Sequence, residues 1–276
     1  MGKEKKIIID GDVSIGSVVS YYYSDKKAEL TINEGKTLKL EATNDGKDSS
    51  DALIFKGNYT NLGNITIGNG SKLVVKLPTT LSGKIDGAVD KAGNLDIQND
   101  AIFVIFEEDI GSEKQLEKIE VKSRAEAIFE KAVNAEKLIV EGYMIAEDQV
   151  SANNIMFKKD QSKLTIAGNN TTVTGAINGG SDDYGILEFT GEGSKVEGAV
   201  GEDTKLLKEV NFINNGVITG NVYAKNINVE ESKKATLGGI VHAENGLRLR
   251  GATSIVSFLN NTTVDSQING NGIVEF

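Results

Sequence analysis

The chain has 276 residues, 40 acidic against 30 basic side chains, and a formal charge of -10. It contains 31 Gly, one Pro, one His, no Cys and no Trp. These numbers exclude a disulfide scaffold, a thiolate nucleophile and any Cys-based zinc or iron–sulfur site. With His242 alone there is no two-His metal site, and a Ser-His-Asp triad has one available base. The acidic balance argues against a nucleic-acid partner, which needs a basic face.

From the N-terminus, MGKEKK is basic but is followed by only Ile7-Ile8-Ile9 as an apolar run. That is too short for the core of an export signal, so none is visible. No apolar run approaches the roughly 18 residues of a membrane span, so direct membrane insertion by this segment is not expected. Tyr21-Tyr22-Tyr23 is the single aromatic cluster. In a strand, Tyr21 and Tyr23 share a face. They either offer a partner-binding patch or cover the open end of a sheet.

Beyond this point a unit of about 22 residues recurs. It places an apolar residue, often Gly two residues on, a second apolar residue, often Ala, and then two apolar residues in alternation. Clear copies begin at Ile218-Thr219-Gly220-Asn221-Val222 and Leu237-Gly238-Gly239-Ile240-Val241. Others place the second apolar residue at Val89, Val133, Val150, Ile177, Val200 and Ile268. The step of 44 residues from Val89 to Val133 reads as two units. Alternating Val, Ile, Leu and Thr within each unit mark short strands. Asn-Gly pairs such as Asn69-Gly70 and Asn245-Gly246 read as tight turns.

A shared register across many units favours a right-handed parallel β-helix (β-solenoid) over an antiparallel sandwich of hairpins. Stacking then puts Val222 over Val241 and builds continuous inward ladders. Residues 1–60 are expected to form N-terminal coils or a cap, and residues 61–276 a single continuous solenoid. Pro would remove ladder hydrogen bonds, so Pro78 is expected at a turn. A narrow interior is expected to favour aliphatic ladders over large rings. Residues 112–137 are rich in Glu, Lys and Ala, which by propensity is helical. Yet Ile119 and Val121 alternate like a strand, so coil strands are the first expectation and a short helical insertion near 112–131 the rival.

Candidate chemistry is sparse. His242 alternates with inward Val241 and Ala243, so it is expected to face solvent. Paired carboxylates could serve a glycosidase. Glu107-Glu108-Asp109, Asp182-Asp183, Glu202-Asp203 and Glu230-Glu231 instead lie in polar turn segments without an aromatic sugar platform. Arg248 and Arg250 alternate with Leu247 and Leu249 and so share one outer face, as an anion contact or a solvated pair. Asn169–Thr172 and Asn260–Thr263 match the glycosylation pattern but read equally as Asn-Thr turns. No residue set indicates a catalytic, cofactor or metal site.

The segments VTGAING, VEGAVGEDTKLLKEVNF, GVITGNVYAKNINV and ATLGGIVHAENGLRLRG resemble the passenger repeats of rickettsial surface cell antigens. These are autotransporters of the outer-membrane protein A and B type. The likeness is clearest over residues 164–276, moderate over 60–100 and weak before 60. It implies a secreted β-helical passenger on the bacterial cell surface, serving in adhesion to a host-cell surface protein or matrix component, or in a surface coat. The family's signal peptide and translocator barrel have no counterpart here, so an internal passenger fragment is expected. The family carries no catalytic residues to transfer. The resulting expectation is a non-enzymatic stalk or adhesin, with Tyr21, Tyr23, Arg248 and Arg250 as partner-binding candidates and lateral self-association open. A structural surface-layer protein and a polysaccharide-active β-helix enzyme are the alternatives.

Overall fold

The structure is a computed structural model. It describes residues 64–75, 78–98 and 103–276, with the backbone of four earlier strands, Lys6–Ile9, Val13–Ile15, Glu29–Ile32 and Thr37–Leu40. Tyr21 and Tyr23 lie outside the described residues. Every described pairing between strands is parallel, and no helix occurs among the described residues. The chain is a parallel β-solenoid, with about 21 residues per turn.

The chain divides into two compact units, Met1–Glu136 and Lys137–Phe276. In the first, one coil consists of Ile65–Ile67, Lys72–Val75 and Thr79–Leu81. The next consists of Ile85–Gly87, Asn94–Ile97 and Val104–Phe106, each strand paired with its counterpart one coil earlier. Alternation of apolar residues explains the strands: Leu73 sits on Leu95 and Leu95 on Ile119, all fully buried. Pro78 lies at an exposed bend just before Thr79–Leu81, where its missing N–H removes no ladder bond.

The stretch from 112 to 137 forms Leu116–Val121, Glu126–Phe129 and the start of Val133–Val140. Ile119, Val121, Ala127 and Phe129 are buried, and Arg124 turns the corner at φ 65°. The helical rival fails because an apolar period of two, matched to neighbouring coils, outweighs a weak propensity. These residues are therefore ordinary coil and not a helical insertion.

In the second unit the inward columns are long. Leu164, Leu187, Val210, Ile227 and Leu247 lie one over another. A second column holds Ile177, Val200, Val222 and Val241, the slot expected from the repeat. It extends to Ile155 at one end and Val264 at the other. The steps along it are 22, 23, 22, 19 and 23 residues. Val150 instead lies beside Val173, and Ile268 beside Leu247, so the expected slot was misplaced at both ends. In the first unit the column runs Ile85, Ile110, Val133. Val89 stands 57% exposed outside it, and Ile110 supplies the copy missing from the step of 44. The cause is the corner: register shifts at Ala224/Ile227 and Ala243/Leu247 add residues that local alternation does not reveal.

The interior also takes rings, contrary to expectation. Phe106, Phe129, Phe157, Phe189 and Phe212 are among the largest fully buried side chains. Phe106 stacks on Phe129 with centroids 4.8 Å apart, and Phe189 on Phe212 at 4.6 Å. The coil spacing itself, about 4.8 Å, places identical rings in offset stacking distance. Several Asn-Gly pairs serve differently from expectation as well. Asn69-Gly70 forms a tight turn, but Asn245-Gly246 lies within Ile240–Leu249 at its register shift.

Glycine is required where coils touch backbone to backbone. A Cβ on Gly198 would lie 2.1 Å from the Gly175 carbonyl oxygen, and one on Gly220 2.3 Å from that of Gly198. Serines close other corners. Ser254, fully buried, accepts from Gly251 N at 3.0 Å and donates to the Glu230 carbonyl at 2.9 Å.

Two stability outcomes follow. Phe212→Ala removes one ring of a stack and leaves a cavity, costing about 3–5 kcal/mol. Gly198→Ala forces two coils apart and costs about 1–3 kcal/mol. Urea unfolding followed by far-UV circular dichroism measures both, and unchanged midpoints contradict this account of the core.

Candidate interaction surface

The outward positions carry the polar chemistry. His242 stands between Tyr223 and Asp265 in one outward column. Its Nδ1 lies 3.2 Å from Asp265 Oδ2, and its ring is tilted to Tyr223 at 6.3 Å. A His-Asp pair beside Ser266 has the residue types of a triad. The Ser266 hydroxyl is committed elsewhere: it accepts from Ala243 N at 2.6 Å and donates to backbone carbonyls. No hydrogen bond joins it to His242 among the described residues, so the nucleophile–base link is missing.

In each carboxylate group one member is held by a cation. Asp182 Oδ2 meets Lys225 Nζ at 2.9 Å, while its Oδ1 accepts from Leu206 N at 3.0 Å. Glu202 lies 3.7 Å from Lys205, and Asp109 3.8 Å from Lys84. Glu230 Oε1 meets Arg250 Nε at 3.1 Å. No group of three or more His, Asp or Glu among the described residues is arranged to hold a metal.

Arg248 and Arg250 share one outer face, as the alternation implied. They border one shallow groove with Glu230, Leu249, Asn269 and Gly270. Arg250 is tied to Glu230, whereas the Arg248 side chain makes no hydrogen bond or ion pair among the described residues. The outward column through Arg248 runs Thr165, Glu188, Asn211, Asn228, Arg248, Asn269.

Reading the sequence missed two ionic clusters. Lys225 bridges Asp182 and Glu244 Oε2, the latter at 2.5 Å, and these hydrogen bonds hold its ammonium above the usual lysine value. Glu120, in the first unit, accepts from Lys122 Nζ at 2.6 Å and Lys118 Nζ at 3.0 Å. Burial pushes its carboxyl up, but the two lysine hydrogen bonds outweigh that and hold it below the usual carboxylate range. Lys118, Glu120 and Lys122 alternate along one strand edge, a signal present in the sequence. Lys225 and Asp182 lie 43 positions apart and gave none.

The fold and surface define a class: a parallel β-solenoid with an aliphatic and phenylalanine core and a polar outer face of ion pairs and carboxamides. It is similar in sequence to rickettsial outer membrane proteins. The chain is 28% identical over 274 residues to outer membrane protein A of Rickettsia rickettsii, covering 95% of this chain. It is 27% identical over 250 residues to outer membrane protein A of Rickettsia conorii (strain ATCC VR-613 / Malish 7), covering 88%. The resemblance read from the repeats is thus found over most of the chain. The chain spans about a tenth of the length of these relatives. No family profile matches it, and no solved structure does.

The Lys225 bridge sets a pH dependence. The hydrogen bond from Lys225 lowers the Asp182 carboxyl, with backbone N–H groups adding to it against desolvation. A lowered folded value means stability that is present above the unfolded carboxylate range, near 4. It is lost as pH falls through the folded value. Lys225→Met removes the cause, so urea midpoints are expected to fall less between pH 5 and pH 3 in the variant than in the natural chain.

Proposed function

We propose that the chain is a segment of a bacterial cell-surface passenger that serves, without catalysis, in attachment to host cells. The observation that carries this reading is the coincidence of a repetitive solenoid with similarity to rickettsial outer membrane protein A over most of the chain. A stacked repeat presents many outward positions whose identity the core does not dictate. Those positions suit recognition of a partner by surface complementarity.

On this reading the segment belongs to an exported autotransporter passenger and is displayed at the outer membrane. The enzyme alternative has less support. The relatives are named as outer membrane proteins, and the one His-Asp pair lacks a coupled nucleophile. Binding would proceed through outward faces, with Arg248 and Arg250 in the second unit and Tyr21 and Tyr23 near the N-terminus as the first residues to substitute.

Purified chain is expected to bind host cells or immobilised matrix proteins saturably, with unlabelled chain competing. Sedimentation over the same concentrations is expected to show no assembly. Absence of cell binding together with concentration-dependent assembly would instead indicate a structural coat.

A further inference from the structure

The chain carries six Asn-Gly pairs, and the fold places them in different surroundings. Such a pair is chemically reactive, because the unhindered glycine nitrogen can attack the preceding side-chain amide. Attack needs that nitrogen to reach the side-chain carbonyl carbon at about 3–3.5 Å, so the peptide group between the two residues must be free to rotate. Hydrogen bonds to that group or to the side chain oppose the rotation.

Most of the pairs are held by bonding, pairing or packing. Asn215 donates from Nδ2 to Glu192 Oε1 and accepts at Oδ1 from Lys234 N at 2.6 Å, and Gly216 is paired with both neighbouring coils. Asn178-Gly179 and Asn269-Gly270 lie within strands, in register with Met156-Phe157 and Arg248-Leu249. Gly246 is buried within Ile240–Leu249. Asn271 is exposed, but Gly272 is packed so closely that a Cβ would lie 2.5 Å from the Ser254 carbonyl oxygen.

Asn69-Gly70 is different. It forms the turn between Ile65–Ile67 and Lys72–Val75, closed by Ser71 N donating to the Gly68 carbonyl at 3.1 Å. Both residues are exposed. The peptide group joining them neither donates nor accepts a hydrogen bond among the described residues, and the Asn69 side chain makes none there either. Gly70 stands at φ 65°, and beyond its chain neighbours no heavy atom lies within 4 Å of where a Cβ would project.

We propose that Asn69-Gly70 is a site of spontaneous modification, at which Asn69 deamidates because the fold leaves this exposed turn unheld. The Gly70 nitrogen loses its proton and bonds to Asn69 Cγ, and Nδ2 leaves as ammonia. The resulting succinimide takes up water at either carbonyl. One opening gives aspartate. The other gives isoaspartate, in which the main chain runs through the former side chain. Either product replaces a neutral carboxamide by a carboxylate. The longer main chain of isoaspartate is accommodated here, since Gly70 has open space and its amide bonds to no neighbouring coil. The bonds that join coils beside the turn run from Ala88 N to the Ile67 carbonyl at 2.8 Å and from Asn94 N to the Ser71 carbonyl at 3.0 Å, outside the reacting peptide group. The inference does not depend on the chain serving in attachment.

The test incubates the full chain in mildly alkaline buffer at physiological temperature, folded and, in parallel, unfolded in urea. Peptide mapping by mass spectrometry follows conversion at each Asn-Gly pair, and chromatography resolves aspartate from isoaspartate. In the folded chain Asn69 is expected to convert first, about tenfold faster or more than Asn215, whose side chain must give up its hydrogen bonds. In urea the rates are expected to converge, because the same residue pair reacts at every site. The rate at Asn69 is expected to rise with pH, since the attacking nitrogen must lose its proton. Asn69→Gln, whose longer side chain closes the ring poorly, is expected to stop conversion there and leave the other pairs unchanged. Circular dichroism is expected to show the strands intact after conversion. No conversion at Asn69, earlier conversion of another pair, the same ranking of sites folded and unfolded, or loss of strand signal on conversion overturns the proposal.

Discussion

Parallel strands hydrogen-bond residue over residue at about 4.8 Å per coil, and this pairing constrains everything else in the solenoid. A residue in one coil has its counterpart directly above and below it. An inward position must therefore be compatible with the same position in the next coil. Leu164, Leu187, Val210, Ile227 and Leu247 satisfy this as an aliphatic column. Phe189 and Phe212 satisfy it as rings stacked within 7° of parallel. Where the corner brings backbones together, only Gly satisfies it, as at Gly198 and Gly220. The same spacing that excludes a side chain at one position creates a stacking contact at another.

This constraint explains what the sequence revealed. Like stacks on like, so the repeat was visible over the coils from Ile177 through Val200 and Val222 to Val241, although their lengths run from 19 to 23 residues. The Gly slot at 175, 198 and 220 was visible for the same reason. Corners defeated the reading. A strand alternates with period two, so Ile85 and Val89 fit the pattern equally, while the irregularity between Ser151 and Asn154 turns Ile155 inward five residues after Val150. Only the pairing with the neighbouring coil decides between them. Phenylalanine was misjudged because a single ring is large for a narrow interior, whereas two rings stacked at the coil spacing are not. Residues 112–137 show the converse, with strong helical composition overruled by an inward Ile119 and Val121.

Outward positions obey a weaker rule. They need only avoid like charges and unpaired buried groups between adjacent coils. The result is a surface of short-range pairings: Lys163 with Glu188, Lys234 with Glu275, and Asn228 with Asn211. Most join residues one coil apart, about 20 positions along the chain. That distance is invisible to local motif reading. Lys225 joins two carboxylates on different coils, so its removal unpairs both. The formal charge of -10 is therefore not a uniform acidic field, because many carboxylates carry their counterion on the next coil.

A repeat gives recognition little to work with unless some coil departs from it. Along the outer column from Thr165 to Asn269, a threonine, a paired Glu188 and neutral carboxamides give way once to a cation, at Arg248. A guanidinium there lies between two carboxamide positions, Asn228 and Asn269, that were shaped by stacking. The core tolerates this because Leu247 and Leu249, on either side of Arg248, keep their inward columns. The outer residue can thus change without disturbing the ladder beneath it. Specificity on such a scaffold arises where one outward residue breaks the column, with the inward ladder holding it at a fixed spacing from its neighbours.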